Sequence, residues 1–100
     1  MNEKQELLTI FMEECAEASV EAAKLIRFGS PDHSEVHRME VEVGDVLCMI
    51  DLLHEYGIID KVVVQDHIKS KREKLKQWSN LTKLEQAQLT PRCNCWLDDR

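Results

Sequence analysis

Glu14, Glu17 and Glu21 recur at intervals of three and four residues, and Glu42 is followed three residues later by Asp45. At about 100° per residue of helix, the first three acids fall within an arc of about 60°. That arc borders an apolar stripe made of Leu7, Phe11, Cys15, Ala18, Ala22 and Leu25. Glu42 and Asp45 sit likewise on the edge of a stripe through Met39, Val43, Val46, Ile50 and Leu53, close to Met49. Acids at the border of a helix–helix contact lose water and repel one another. Protonation, a Lys or Arg partner, or a divalent cation must offset that cost. An i, i+3 pair aims two carboxylates at one point, and two such pairs on antiparallel helices supply four oxygen donors. Oxygen donors without His or Cys at the same spacing suit Mg²⁺ or Mn²⁺ better than Zn²⁺, and Mg²⁺ keeps waters and accepts phosphate oxygens. The plainer alternative is a solvated acidic face, as on many helices of acidic proteins. Two pairs that each encroach on an apolar stripe favour the ion.

Three helices must position these groups. Asn2 with Gln5 fits a capping box that opens a first helix, and nothing breaks it from about Asn2 to Arg27 before Gly29. After the GSPDHS segment, Asp32 with Glu35 forms a second capping box, opening a helix that ends near Tyr56-Gly57. Asp60 is a good N-cap for a third helix from about Lys61 to Trp78, with Val64, Ile68, Leu75 and Trp78 on one face. A short, weaker helix covers Thr82 to Gln88, and a tail without periodicity begins at Pro91. The expected fold is all-α: three main helices plus a short C-terminal helix or tail. Residues 1–90 form one domain and residues 91–100 its tail. Apolar stripes this wide are not covered by three helices alone, so the helices are expected to assemble into a bundle as a homo-oligomer, with each site drawing on more than one subunit.

Composition supports this class. A chain of 100 residues is one domain's worth, and only 3 Gly and 2 Pro occur, against roughly 12 expected from average usage. That scarcity argues for long helices and against a sandwich or barrel rich in tight turns. Lys+Arg is 13 and Asp+Glu is 19, for a net charge of -6, which disfavours a surface that wraps polynucleotide phosphates. A small anion chelated by a metal can still meet local cations. No apolar run approaches the ~20 residues needed to span a bilayer, and MNEKQELL has no signal-peptide core. A cytoplasmic protein that binds neither membrane nor polynucleotide is expected. Cys15, Cys48, Cys93 and Cys95 do not form a secreted disulfide framework, since two fall in helical patterns and two in the tail.

Glu13-Glu14-Cys15-Ala16-Glu17 followed by Glu42-Val43-Gly44-Asp45 reads as EExxE and then ExxD. With its EVGDVL surroundings, the pattern resembles the signature of the MazG-like, all-α nucleoside triphosphate pyrophosphohydrolases, from about Glu6 to Trp78. The resemblance implies a helical, Mg²⁺-dependent dimer or tetramer that hydrolyses a (d)NTP between its α- and β-phosphates. The products would be monophosphate and pyrophosphate. By position, it makes Glu14, Glu17, Glu42 and Asp45 the metal ligands. Glu17 is also the candidate catalytic base. Glu13 points roughly 100° away from Glu14 and is given a surface or supporting role.

Cations are needed at the other end of such a substrate. On the third helix, Lys71 and Arg72 fall within or beside the apolar stripe, and Lys74-Leu75 resembles a lysine common in relatives. Lys71, Arg72 and Lys74 are therefore the candidate phosphate-binding residues, whereas Lys76 points outward; the plain alternative for each is a solvated lysine with a snorkelling stem. Relatives often carry Asn and Arg where this chain has Arg72 and Gln77. Cys93 and Cys95, even with His54 and His67, make a poor zinc set, and His33 and His37 fit a solvated loop. Tyr56 and Trp78 suit helix ends packed on the bundle, with base stacking as the alternative. Met12, Met39 and Met49 read as core filler. Two rival functions stay open: a non-catalytic helical oligomerisation module, and a related pyrophosphohydrolase of phosphoribosyl-nucleotides.

Overall fold

A computed structural model describes residues 1–29 and 33–81. Asp32, the weak helix expected at Thr82–Gln88, the tail from Pro91, Cys93 and Cys95 lie outside the described residues. Three helices follow one another: α1 (Glu3–Phe28), α2 (Ser34–Glu55) and α3 (Lys61–Trp78). There is no strand among the described residues, and no helix there is long and apolar enough to cross a membrane.

The helix ends follow from local chemistry. Asn2 and Gln5 form the expected capping box: the Asn2 side chain accepts from the Gln5 amide at 2.8 Å, and the Gln5 side chain accepts from the Asn2 amide at 2.9 Å. At the other end of α1, Gly29 adopts φ 69, and its N–H donates to the Leu25 carbonyl at 3.0 Å. The N-cap position of α2 is taken by His33, in left-handed conformation at φ 64 and without a side-chain cap bond. Helix α2 closes with a Schellman motif. Gly57 takes φ 74, its N–H donates to the His54 carbonyl, and the Ile58 N–H donates to the Leu53 carbonyl, both at 2.9 Å. Asp60 caps α3 as expected, accepting from the Val62 amide at 2.8 Å.

The chain forms two compact units, Met1–Ile58 and a second beginning at Ile59. In the first, α1 and α2 pack together as a helical hairpin across the short connection at residues 29–33. Its core is small: Leu7, Met49 and Leu53 are buried. On α1 the expected stripe is correct, since Phe11, Cys15, Ala18, Ala22 and Leu25 are all half-buried beside Leu7.

On α2 the expected stripe holds at Met39, Val46, Ile50 and Leu53 and departs at one position. Val43, assigned to the core, is exposed, while Glu42 is half-buried and Met49 is one of the three buried residues. Adjacent residues differ by about 100°, so a small turn of the helix exchanges Val43 for Glu42 at the interface.

In the second unit α3 has no buried residue. Val64 and Leu75 are half-buried, and Ile68 and Trp78 are exposed, Trp78 at 83%. Tyr56, after α2, is likewise exposed.

Gly44 lies in the interior of α2, is exposed, and a Cβ built there meets nothing within 4 Å. Gly in a helix interior costs about 1 kcal/mol relative to Ala through its extra unfolded-state freedom. Gly44→Ala is therefore expected to raise stability by about 1 kcal/mol in urea unfolding.

Candidate metal centre

The hairpin presses four glutamates into its helix–helix contact. Glu14 and Glu21 on α1, and Glu35 and Glu42 on α2, are half-buried. Each has one carboxylate oxygen that is shielded from solvent and has no hydrogen-bond partner: Oε2 of Glu14, Oε1 of Glu21, Oε2 of Glu35 and Oε2 of Glu42. Within each helix the two are seven residues apart, which returns them to one face after two turns. They take places an ordinary hairpin would fill with Leu or Ile. A shielded carboxylate oxygen without a partner is costly, so what lies near each one is informative.

The four divide into two kinds. Glu21 is held by Lys24 at 3.4 Å, and Glu35 by Arg38 at 2.6 Å, each partner three residues along the same helix. Glu14 and Glu42 form no ion pair with a cation among the described residues; acids surround them instead. One oxygen each from Glu14, Glu42 and Asp45 lies within 4.8 Å of the others. The Glu14 carboxyl is raised above the usual glutamate range, first by burial, then by the charges of Glu17 and Asp45 and by a hydrogen bond with Asp45. The Glu42 carboxyl is raised as well, first by burial, then by a hydrogen bond with Glu17 and by the charges of Glu17, Asp45 and Glu14.

Thus three of the four expected ligands converge. Glu17, the fourth, is exposed and lies outside that group of three, although it reaches Glu42. Asp45 is exposed at the mouth of the cluster, and Glu13 is exposed as expected. Glu21 was recognisable from its place on the arc. Glu35 was not, because its position three residues after Asp32 read as half of a capping box. The signal that identifies Glu35 is its seven-residue spacing from Glu42, which matches that of Glu14 and Glu21.

The donor set fits a hard divalent cation. It holds three carboxylates, no thiolate and no imidazole, and two of the carboxylates have shielded, unpartnered oxygens. Mg²⁺ or Mn²⁺ would satisfy those oxygens and cancel the mutual repulsion that raises Glu14 and Glu42.

Of the cations expected to meet phosphate, Lys71 and Lys74 are exposed on α3 and Arg72 is half-buried. The contrast drawn between Lys71 and Lys76 is reversed. Lys76, expected to point outward, is half-buried and paired with Glu73 at 3.1 Å, whereas Lys71 faces solvent. No family model, curated protein or solved structure matches the chain.

Proposed function

We propose that this protein is a homo-oligomeric, Mg²⁺-dependent nucleotide pyrophosphohydrolase of the cytoplasm, converting (d)NTP to (d)NMP and pyrophosphate in nucleotide-pool control. One observation carries the reading. Glu14 and Glu42 stay uncompensated in a helix–helix contact where Glu21 and Glu35 have each acquired a cation. An acidic surface serving only solubility would not need to shield carboxylate oxygens from water. The motif order EExxE then ExxD, with its likeness to MazG-like enzymes, supplies the reaction class. The small core and the exposed Met12, Val20, Ile26 and Phe28 favour assembly into a dimer or tetramer.

In this reading Glu14, Glu42 and Asp45 would hold the ion, with Glu17 the fourth ligand that the resemblance implies. The bound ion would neutralise triphosphate charge and stabilise the departing pyrophosphate. Glu17, exposed and beside Glu42, would hold and deprotonate the attacking water at the α-phosphorus. Lys71, Arg72 and Lys74 would engage the outer phosphates.

Turnover of each (d)NTP with Mg²⁺, with products separated, tests the reading. Monophosphate plus pyrophosphate from at least one nucleotide is the expected result, and no turnover of any nucleotide refutes it. On α3, Lys71 forms no ion pair among the described residues, whereas Lys76 is engaged with Glu73. A charge-assisted phosphate contact is worth about 1.5–3 kcal/mol, so Lys71→Ala should raise KM about tenfold or more. Lys76→Ala should change it less than about twofold; equal effects would remove Lys71 from the phosphate site.

A further inference from the structure

The side of α1 turned away from the glutamates carries a second pattern. Thr9, Ala16 and Ala23 alternate with Met12, Ser19 and Ile26 at spacings of three and four, the repeat of a coiled-coil seam. Every one of these six residues is exposed, Met12 at 69% and Ile26 at 87%. The seam holds no charge. One flank is formed by Glu6, Glu13, Val20 and Arg27, spaced by seven residues, and Val20 is 52% exposed. Both seam hydroxyls are already bonded within the helix: Thr9 Oγ1 donates to the Gln5 carbonyl at 2.8 Å, and Ser19 Oγ to the Cys15 carbonyl at 3.1 Å. Covering the seam would therefore orphan no hydroxyl donor.

We propose that α1 of a second copy of this chain docks antiparallel on this seam about a two-fold axis, with Glu6 of each copy paired to Arg27 of the other. Size and charge select this arrangement. Antiparallel pairing sets Ile26 against Thr9, Met12 against Ala23 and Ala16 against Ser19, a large side chain on a small one at the two outer layers and small on small at the middle. The helices can then approach at the short end of the usual 8–10 Å range. A parallel pair would instead stack Met12 on Met12 and Ile26 on Ile26, with a gap where Ala16 meets Ala16. Sliding the antiparallel pair one heptad toward the N-termini brings Glu13 against Glu13, which is repulsive. Sliding it the other way carries Met12 past Phe28, the last residue of the partner helix. The register with Glu6 opposite Arg27 buries all six seam residues and satisfies both charges.

This inference rests on the homo-oligomeric part of the proposed function and not on its chemistry. Sedimentation equilibrium of the full chain at micromolar concentration tests it, with circular dichroism to check that each variant is folded. The wild type should dimerise or form a dimer of dimers. Ala16→Glu, which puts charge inside the seam, should abolish that contact while keeping the helices. Glu6→Arg and Arg27→Glu should each weaken it about tenfold, because two symmetric pairs turn from attraction to repulsion, and the double variant should return to within about threefold of wild type. A monomeric wild type overturns this proposal and the oligomeric reading together. A folded Ala16→Glu that still self-associates as the wild type does overturns the seam alone. Additive losses in Glu6→Arg/Arg27→Glu, or rescue of Arg27→Glu by Glu13→Arg instead, overturn the register.

Discussion

Glu42→Gln and Asp45→Asn are each expected to lower Mg²⁺-dependent (d)NTP turnover by about a thousandfold or more while leaving the helical content unchanged. Both changes keep the size of the side chain and remove one formal charge from a group whose oxygens lie within 4.8 Å of one another. The thousandfold figure corresponds to about 4 kcal/mol of lost transition-state stabilisation. A contribution of that size is reasonable where the carboxylates hold the ion that neutralises phosphate charge. Glu42→Gln also leaves its shielded oxygen without an anionic role, so the variant should fold at least as well as the wild type. Glu21→Gln is the matched control. Glu21 sits in the same interface, two turns away, but is already paired with Lys24, so its loss should reduce turnover by less than about tenfold. Equal losses at Glu21 and Glu42 would mean that the interface as a whole, and not the cluster, supports activity. Full activity in Asp45→Asn would place the site elsewhere.

The helices themselves were legible because their signals are local. Asn2–Gln5 and Asp60 each specify a helix start within a few residues, and Gly57 specifies a stop by taking φ 74. The acids at the helix–helix border were legible too, since helical spacing alone places Glu14 and Glu42 beside apolar stripes. What spacing cannot fix is a rotation smaller than one residue. Val43 and Glu42 are about 100° apart, and which of them enters the contact depends on how the whole of α1 packs, including the bulk of Met49 and Leu53. The same limit explains Lys76 and Lys71. An apolar stripe predicts which side of α3 is buried only if a partner covers it, and Ile68 and Trp78 remain exposed. Glu35 was hidden for another reason: a single residue can satisfy the pattern of a capping box and of a core-facing acid, and only the packed hairpin separates the two.

Divalent ions should stabilise this protein strongly, and Glu42→Gln should both raise its ion-free melting temperature and remove most of that stabilisation. The sign follows from protons. Burial and neighbouring acids raise the Glu14 and Glu42 carboxyls in the folded chain, so between the ordinary glutamate range and the raised one the native state binds more protons than the unfolded chain. Stability contributed this way is present at pH below the unfolded value and is lost as pH rises through the raised value. Once pH has risen through the raised values the ion-free protein has lost it, and a neutral glutamine at position 42 recovers part of it by removing one of the repelling charges. An ion that binds only the native cluster acts in the opposite direction on the wild type. At one hundred times its Kd it contributes about 2.7 kcal/mol, which for a domain of this length is a rise of about 10–20 °C in Tm. Thermal unfolding with EDTA and with millimolar Mg²⁺ or Mn²⁺ at pH 7.5 should give that rise for the wild type and less than a third of it for Glu42→Gln. Acidification toward the ordinary glutamate range should stabilise the ion-free wild type relative to the variant. A wild-type Tm indifferent to both ions would mean that the shielded oxygens of Glu14 and Glu42 are relieved by protonation alone, and that the cluster does not hold a cation.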